Sequence, residues 1–163
     1  MESLNFPTYS FRLRRQGKQV YLFDPLRRRW VRLTPEEWVR QHLAQYLVQA
    51  LGCPPSLVAL ETAFTDQGMV RRADLVVYNR EGRPLLLAEC KAPTVPVTQE
   101  VVEQAGRYNR VIGAPYLVVT NGRTHYVWRI DLHRYTMTPL RRWPTFAEMM
   151  QAASRIGRTE QSQ

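Results

Sequence analysis

The sequence predicts an α/β sandwich around a mixed β-sheet, and three observations lead there. Residues 84–90 (PLLLAEC) and 115–120 (PYLVVT) are almost continuously apolar, as strands covered on both faces are. A segment of helical length and pattern joins them, which suits a right-handed parallel crossover. An earlier capped helix and several alternating strands precede them, so helices and strands interleave along one chain. The 163 residues, 44% of them hydrophobic, suffice for one domain with a real core.

Residues 1–33 are basic and aromatic, with alternating stretches such as VYLFDPLRRRWVRL, and read as a β-hairpin turning at Asp24-Pro25. Thr34 can cap a helix, Pro35 fits its first position, and Glu37 falls where a capping-box partner belongs. That helix runs to about Ala50 and stops at Gly52, before Pro54-Pro55. Val39, Leu43, Tyr46 and Ala50 form its apolar stripe. Glu36, three residues before Val39, extends this buried stripe, and Glu37 points elsewhere. Residues 56–64 (SLVALETAF) read as a strand, and 72–78 and 84–90 as two more turning at Glu81-Gly82. Thr98 caps a second helix, Gln99 to about Ile112, that ends at Gly113. Val101 and Ala105 mark the face that packs on the sheet, and Gln104 and Tyr108 share a face four residues apart. Asn121-Gly122 signals a hairpin from 115–120 into THYVWRI. A last helix is expected from Pro144 to about Ile156. The expected organisation is a hairpin extension over 1–33, the body of the same domain over 34–156, and a flexible tail over 157–163.

The net charge of +9 and a pI near 10.1 favour a polyanionic partner, and nucleic acid is the obvious one. Basic residues cluster at Arg12, Arg14, Arg15 and Lys18, at Arg27, Arg28, Arg29 and Arg32, at Arg71 and Arg72, and at Arg141 and Arg142, with Tyr21, Phe23, Trp30 and Trp143 interleaved. The alternative is an arginine-rich surface that is merely solvated. No apolar run approaches a membrane span, and the N-terminus lacks a signal-peptide core, so a cytoplasmic protein without a membrane partner is expected. Cys53 and Cys90 suggest neither a disulfide framework nor a zinc site. The chain has no G-x4-GK-[ST] phosphate loop, so neither a nucleotide cofactor nor a motor domain is expected.

The chemistry concentrates between Arg71 and Pro93. Side chains alternate along a strand, so Glu89 and Lys91 point one way and Cys90 the other. If the strands pair around Glu81-Gly82, Asp74 lies near them. Two carboxylates and an amine on one site suit metal-assisted hydrolysis of a phosphodiester. Of 23 basic residues only Lys18 and Lys91 are lysines, and a chemical role would explain that exception. The alternative is a structural ion pair of Lys91 with Glu89 at a strand end. No Ser-His-Asp or Cys-His arrangement offers a rival site; His42 and His133 read as structural or surface residues.

These residues resemble the PD-(D/E)xK nuclease superfamily and, more narrowly, the N-terminal nuclease domain of type I restriction enzyme R subunits. The matching pieces are TPEEWVRQHLAQYL, RRADLVVY, LLLAECKAP, QAGRYN and YLVVTNGRTHYVW, spread over roughly residues 30 to 130. Ala73 stands where the motif proline usually precedes the aspartate. The resemblance implies a restriction-endonuclease-like α/β/α sandwich. It implies that Asp74 and Glu89 hold Mg2+ or Mn2+, helped by the Cys90 carbonyl and by an acid on the first helix, Glu36 rather than its rival Glu37. Lys91 would orient or help deprotonate the attacking water, and Gln104 and Tyr108 would position it or the scissile phosphate. Arg71, Arg72, Arg107 and Asn121 are expected to contact nucleic acid. Glu61 and Arg72 are the candidates for secondary site residues, and of these Glu61 is expected to be structural, because the metal shell is already filled.

The expected function is therefore a divalent-metal-dependent DNA endonuclease domain, acting as a homodimer or with restriction or defence partner proteins. The alternative is a catalytically weak or partner-dependent nucleic-acid-binding module that keeps the nuclease fold. A non-catalytic RNA-binding protein rests only on charge and aromatics, and intact acids at every motif position argue against it.

Overall fold

The computed structural model describes residues 1–161, with side chains described through residue 155. The chain opens with a three-stranded antiparallel sheet of β1 (Leu13–Gln16), β2 (Gln19–Asp24) and β3 (Arg29–Arg32). Next come α1 (Pro35–Gln49), a single 3-10 turn at Pro55–Leu57, and strands β4 (Val58–Asp66), β5 (Met69–Tyr78) and β6 (Pro84–Cys90). Helix α2 (Gln99–Ile112) leads to β7 (Tyr116–Thr120), β8 (His125–Asp131) and β9 (Thr136–Pro139), and α3 (Phe146–Gln161) follows. Strands β4 to β9 form one six-stranded sheet in chain order. Only β6 and β7 run parallel, with α2 as their crossover, so the sheet is mixed as the sequence predicts.

Helices cover both faces. On one, Val39, Leu43 and Leu47 of α1 and Met149 of α3 pack with Leu75, Val77, Leu86 and Ala88. On the other, Val101, Ala105 and Ile112 of α2 pack with Val76, Leu87, Leu117 and Val119. Each fully buried leucine contributes roughly 1.5–3 kcal/mol of transfer free energy, so the β6–β7 centre holds the layers together. The Thr34 hydroxyl accepts from the Glu37 N–H at 3.0 Å and starts α1. Gly113, at φ 78°, closes α2 in the left-handed conformation that glycine adopts without strain. The buried Asn109 side chain then donates to the Ala114 carbonyl at 2.8 Å and accepts its N–H at 2.9 Å, fixing the entry to β7.

Several elements differ from expectation. The Asp24-Pro25 hairpin is present as β2–β3, but β1 adds a third strand through a turn at Gly17-Lys18. Every residue of β1 is exposed, so it carries no alternating apolar signal. Strand β4 runs on to Asp66 and turns at Gln67-Gly68; both have positive φ (50° and 78°), as a tight hairpin requires. Strand β9 is a short edge strand ending in proline, outside the sequence expectation. In α1 the apolar stripe is Val39, Leu43 and Leu47; Ala50, the C-cap, is exposed. Helix α3 extends to Gln161, because one glycine at 157 costs a helix only about 1 kcal/mol. The rest of the expected tail, residues 162–163, lies outside the described residues. No helix among the described residues is long and apolar enough to cross a membrane.

The N-terminal segment straps the β7–β8 turn to the core. The Asn5 N–H donates to the Gly122 carbonyl at 2.7 Å, and Leu4 and Phe6 pack on the α1 side of the core. Gly122 is needed there twice over: its φ is 85°, and an added Cβ would lie 2.8 Å from the Leu4 Cδ2.

Candidate active site

A cavity of about 210 Å3 opens on the α2 side of the sheet, where β5, β6, α1 and α2 meet. Strands β5 and β6 pair with Leu75 opposite Ala88, so one step along the same register Asp74 faces Glu89. The Cys90 N–H donates to Asp74 Oδ2 at 2.7 Å and confirms that proximity. Glu89 and Lys91 alternate with Cys90 as expected: Glu89 and Lys91 line the cavity, and the Cys90 thiol is buried in the opposite core. Cys90 therefore presents main chain to the cavity. Burial and the adjoining Asp74 carboxylate push its thiol well above the usual range, so it stays protonated.

Glu89 is the most perturbed acid. Burial first, and then the Asp74 carboxylate, push its carboxyl up to about 9, against the opposing pull of Lys91. Its Oε1 is buried without a hydrogen-bond partner. Glu36 also lines the cavity; burial and Asp74 raise its pKa, while Arg40 and Lys91 oppose the rise. From α2, Gln104 and Tyr108 close the cavity, with Gln104 Nε2 donating to the Tyr108 hydroxyl at 2.8 Å. The structure thus brings Glu36, Asp74, Glu89, Lys91, Gln104 and Tyr108 into one cavity, with Arg72 at its mouth.

The expected nucleic-acid contacts divide. Arg72 lines the cavity. Arg71 lies against Tyr108, with its guanidinium 5.6 Å from the ring centroid and its Nη1 donating to the Tyr108 hydroxyl at 3.5 Å, and is 3.6 Å from Asp66. Arg107 is exposed on α2 outside the cavity lining. Asn121 is not brought to the site. It is buried in the β7–β8 turn, donates to the Val95 carbonyl at 2.9 Å, and accepts from the Arg123 and Thr124 N–H groups at 3.0 and 2.9 Å. A short polar side chain in a tight turn satisfies backbone groups first.

Glu37, not Glu36, is the buried acid of α1, with 8% of its side chain exposed against 44% for Glu36. It is no capping-box partner: its carboxylate accepts from Arg27 Nη2 at 2.7 Å and Gln41 Nε2 at 2.9 Å, and it pairs with Arg40. Such a buried carboxylate persists because both its oxygens are matched. The same two arginines tie together the acids around the site. Arg27 pairs with Asp24 and, at 2.7 Å, with Glu61. Arg40 reaches Asp74 Oδ1 at 2.7 Å and Glu36 and Glu61 at 3.6 Å. Burial opposes the charge of Arg40, but Asp74 and Glu37 outweigh it and raise its pKa. Glu61 holds this position at φ 50°, inside a strand and on the step of β4 that faces Asp74. A non-glycine residue there stores backbone strain of order 1 kcal/mol. Sequence reasoning missed Arg27 and Arg40. The available signal was Arg40 at three and four residues from Glu37 and Glu36, beside the apolar position Val39.

Among the described residues no three His, Cys, Asp or Glu side chains are grouped as a ready-made metal cage. That still fits a magnesium-type ion, which keeps several waters and uses one or two carboxylates. The unpartnered Glu89 oxygen beside Asp74 is the observation that favours such an ion.

Fold and cavity together define an α/β domain whose central strands carry an acid pair, a lysine and a helix-borne Gln–Tyr pair. The family model described as "Type I restriction enzyme R protein N terminus (HSDR_N)" matches residues 35–144, and the chain belongs to that family. The fold is also similar to the fragment structure of a protein described as an HsdR subunit of a type I restriction enzyme from Vibrio vulnificus YJ016. That likeness has a TM-score of 0.55 at 24% identity, and covers 73% of this chain and 25% of the other. None of the curated proteins matches the chain in sequence.

Proposed function

We propose that this chain is a divalent-metal-dependent endonuclease domain of the PD-(D/E)xK type that hydrolyses DNA phosphodiester bonds. The observation that carries the proposal is the convergence of Asp74, Glu89 and Lys91 in one cavity, with a buried Glu89 oxygen left without a partner. Asp74, Glu89 and the Cys90 main chain would hold Mg2+ or Mn2+, with Glu36 at the edge of that set. When bound, the ion supplies a Lewis acid that offsets phosphate charge.

The chain's own groups do the rest. Lys91 presents a compact cation where a water or a phosphate oxygen can accept from it. Gln104 fixes the Tyr108 hydroxyl, whose proton is then free to be donated to a phosphate oxygen. Arg72 at the mouth holds the flanking backbone. In the reaction a water oxygen bonds to phosphorus, one ester P–O bond breaks, and the departing oxygen takes a proton.

The test is conversion of supercoiled plasmid with Mg2+, Mn2+ or EDTA, by wild type and Lys91→Ala. Metal-dependent nicking that disappears in the variant is the expected result. Cutting that persists in EDTA or in Lys91→Ala would sink the proposal. One observation favours a second reading, a partner-dependent module: Arg40 and the Cys90 N–H already engage both oxygens of Asp74. Under that reading the isolated chain binds DNA without cutting it, and a partner must draw Arg40 away.

A further inference from the structure

The N-terminal sheet lies outside the residues the family model matches, and its two faces differ sharply. Cross-strand partners share a face. The register therefore places Leu13, Leu22 and Val31 on one side and Arg14, Tyr21 and Arg32 on the other. The first face turns inward: Leu22 and Asp24 are fully buried. The second face carries Arg12, Arg14 and Arg32, all exposed, over the half-buried rings of Phe23 and Trp30.

Two of the arginines on that face, Arg12 and Arg14, are held by ring contacts. The Arg12 guanidinium lies 4.8 Å from the Phe23 ring centroid and 5.6 Å from that of Trp30. Arg14 lies 4.6 Å from Trp30, and the two rings meet edge to face at 5.4 Å. Stacking orients a guanidinium without neutralising it, and leaves its N–H groups free to meet phosphate oxygens. No acid shares the face, because Asp24 points inward and is taken by Arg27.

The face also adjoins the candidate active site. A concavity along the β3 edge is lined by Arg29, Arg32 and Glu36, and Glu36 also lines the cavity of Asp74 and Glu89. The other acids of that concavity, Glu37 and Glu61, are already matched by Arg27 and Arg40. A polyanion leaving the cavity past Glu36 thus meets Arg29 and Arg32, and then the arginine–aromatic face.

We infer that the outer face of the N-terminal sheet binds the phosphodiester backbone of DNA flanking the scissile bond, through Arg12, Arg14 and Arg32. The inference rests on the DNA reading of the site and names where the rest of the substrate lies. It moves the main backbone contacts away from Arg107 and Asn121.

The test is DNA affinity of the full chain by fluorescence anisotropy in EDTA, over a KCl series, with circular dichroism as the folding control. The slope of log K against log[KCl] falls by about 0.9 for each phosphate that is no longer neutralised, so Arg12→Ala/Arg14→Ala/Arg32→Ala should lower it by about 2.7. A control, Arg80→Ala/Arg83→Ala, removes charge near the β5–β6 turn, at the end of β6 away from Glu89, and should leave the slope at the wild-type value. An unchanged slope in the triple variant overturns the inference, and so does an equal fall per arginine in the control, which would mean diffuse attraction. The titration needs no chemistry. Binding that follows the prediction by a chain that does not cut DNA would remove the endonuclease proposal and leave this one standing. Cutting by a triple variant with a wild-type slope would do the reverse.

Discussion

Replacing Arg40 by methionine is the sharpest probe of the acid network. The side chain is 6% exposed and pairs with Glu37, with Asp74 at 2.7 Å, and with Glu36 and Glu61 at 3.6 Å. Removing one partner of a buried ion pair costs about 3–5 kcal/mol, because the other charge stays buried. Glu37 keeps Arg27 and Gln41, and Asp74 keeps the Cys90 N–H, so the low end applies, about 3 kcal/mol. For a domain of this size that lowers Tm by about 6–12 °C. Urea unfolding followed by circular dichroism at pH 7 in EDTA measures it, and a loss under about 1 kcal/mol would refute the assignment. A second effect follows from competition. Arg40 holds the Asp74 Oδ1 that a divalent cation would use, so Mg2+ should stabilise Arg40→Met more than wild type. A ligand at a hundred times its Kd adds about 2.7 kcal/mol, enough to restore most of the loss. Equal stabilisation of both proteins by Mg2+ would show that Arg40 and the cation do not share Asp74.

Four further outcomes are expected. In the metal-free protein Glu89 has a folded pKa raised from 4.5 to about 9, so its contribution to stability is complete below 4.5 and is lost as pH rises towards 9; Tm against pH in EDTA should fall across that window, and Glu89→Gln should flatten the fall. Gly122→Ala, which forces a Cβ against Leu4 at φ 85°, should cost at least about 1–2 kcal/mol in urea unfolding, and a neutral result would contradict the strap formed by residues 4–6. Asn121→Ala should lower Tm, since it strips partners from the Arg123 and Thr124 N–H groups, while the salt slope of DNA binding stays at the wild-type value. Tyr108→Phe should leave Tm within a few degrees but cut the nicking rate by about tenfold or more, as one positioned donor is removed; a wild-type rate would exclude the hydroxyl from the reaction.

Much of the fold was legible because its signals are local. The apolar runs at 84–90 and 115–120 mark the two parallel strands, and Thr34, Thr98 and Gly113 mark the helix ends. Alternation alone placed Glu89 and Lys91 on one face and the Cys90 thiol on the other. What escaped was non-local or carried by edges. Strands β1 and β9 are four-residue edge strands with little buried apolar surface. Burial of Glu37 depends on Arg27, ten residues away, and the position of Asp74 on Arg40, thirty-four residues away. Helical periodicity gave Glu36 the buried stripe, yet charge pairing rather than period decides which acid a core can hold. Asn121 was legible as a turn residue, and the turn consumes its side chain.

The Arg27 pairs bear on where this domain can be cut. The family model begins at residue 35, eight residues after Arg27, so sequence similarity suggests a boundary just before α1. Electrostatically that boundary runs through a bonded cluster: Arg27 is the cation that Glu37 and Glu61 share from outside it. A shortened chain starting at α1 would keep the six-stranded sheet and all six cavity side chains, yet leave two neighbouring carboxylates beside Arg40 alone. The smallest unit in which Glu37 and Glu61 keep the cation they share therefore includes the N-terminal sheet, and an expression boundary drawn from similarity would divide it.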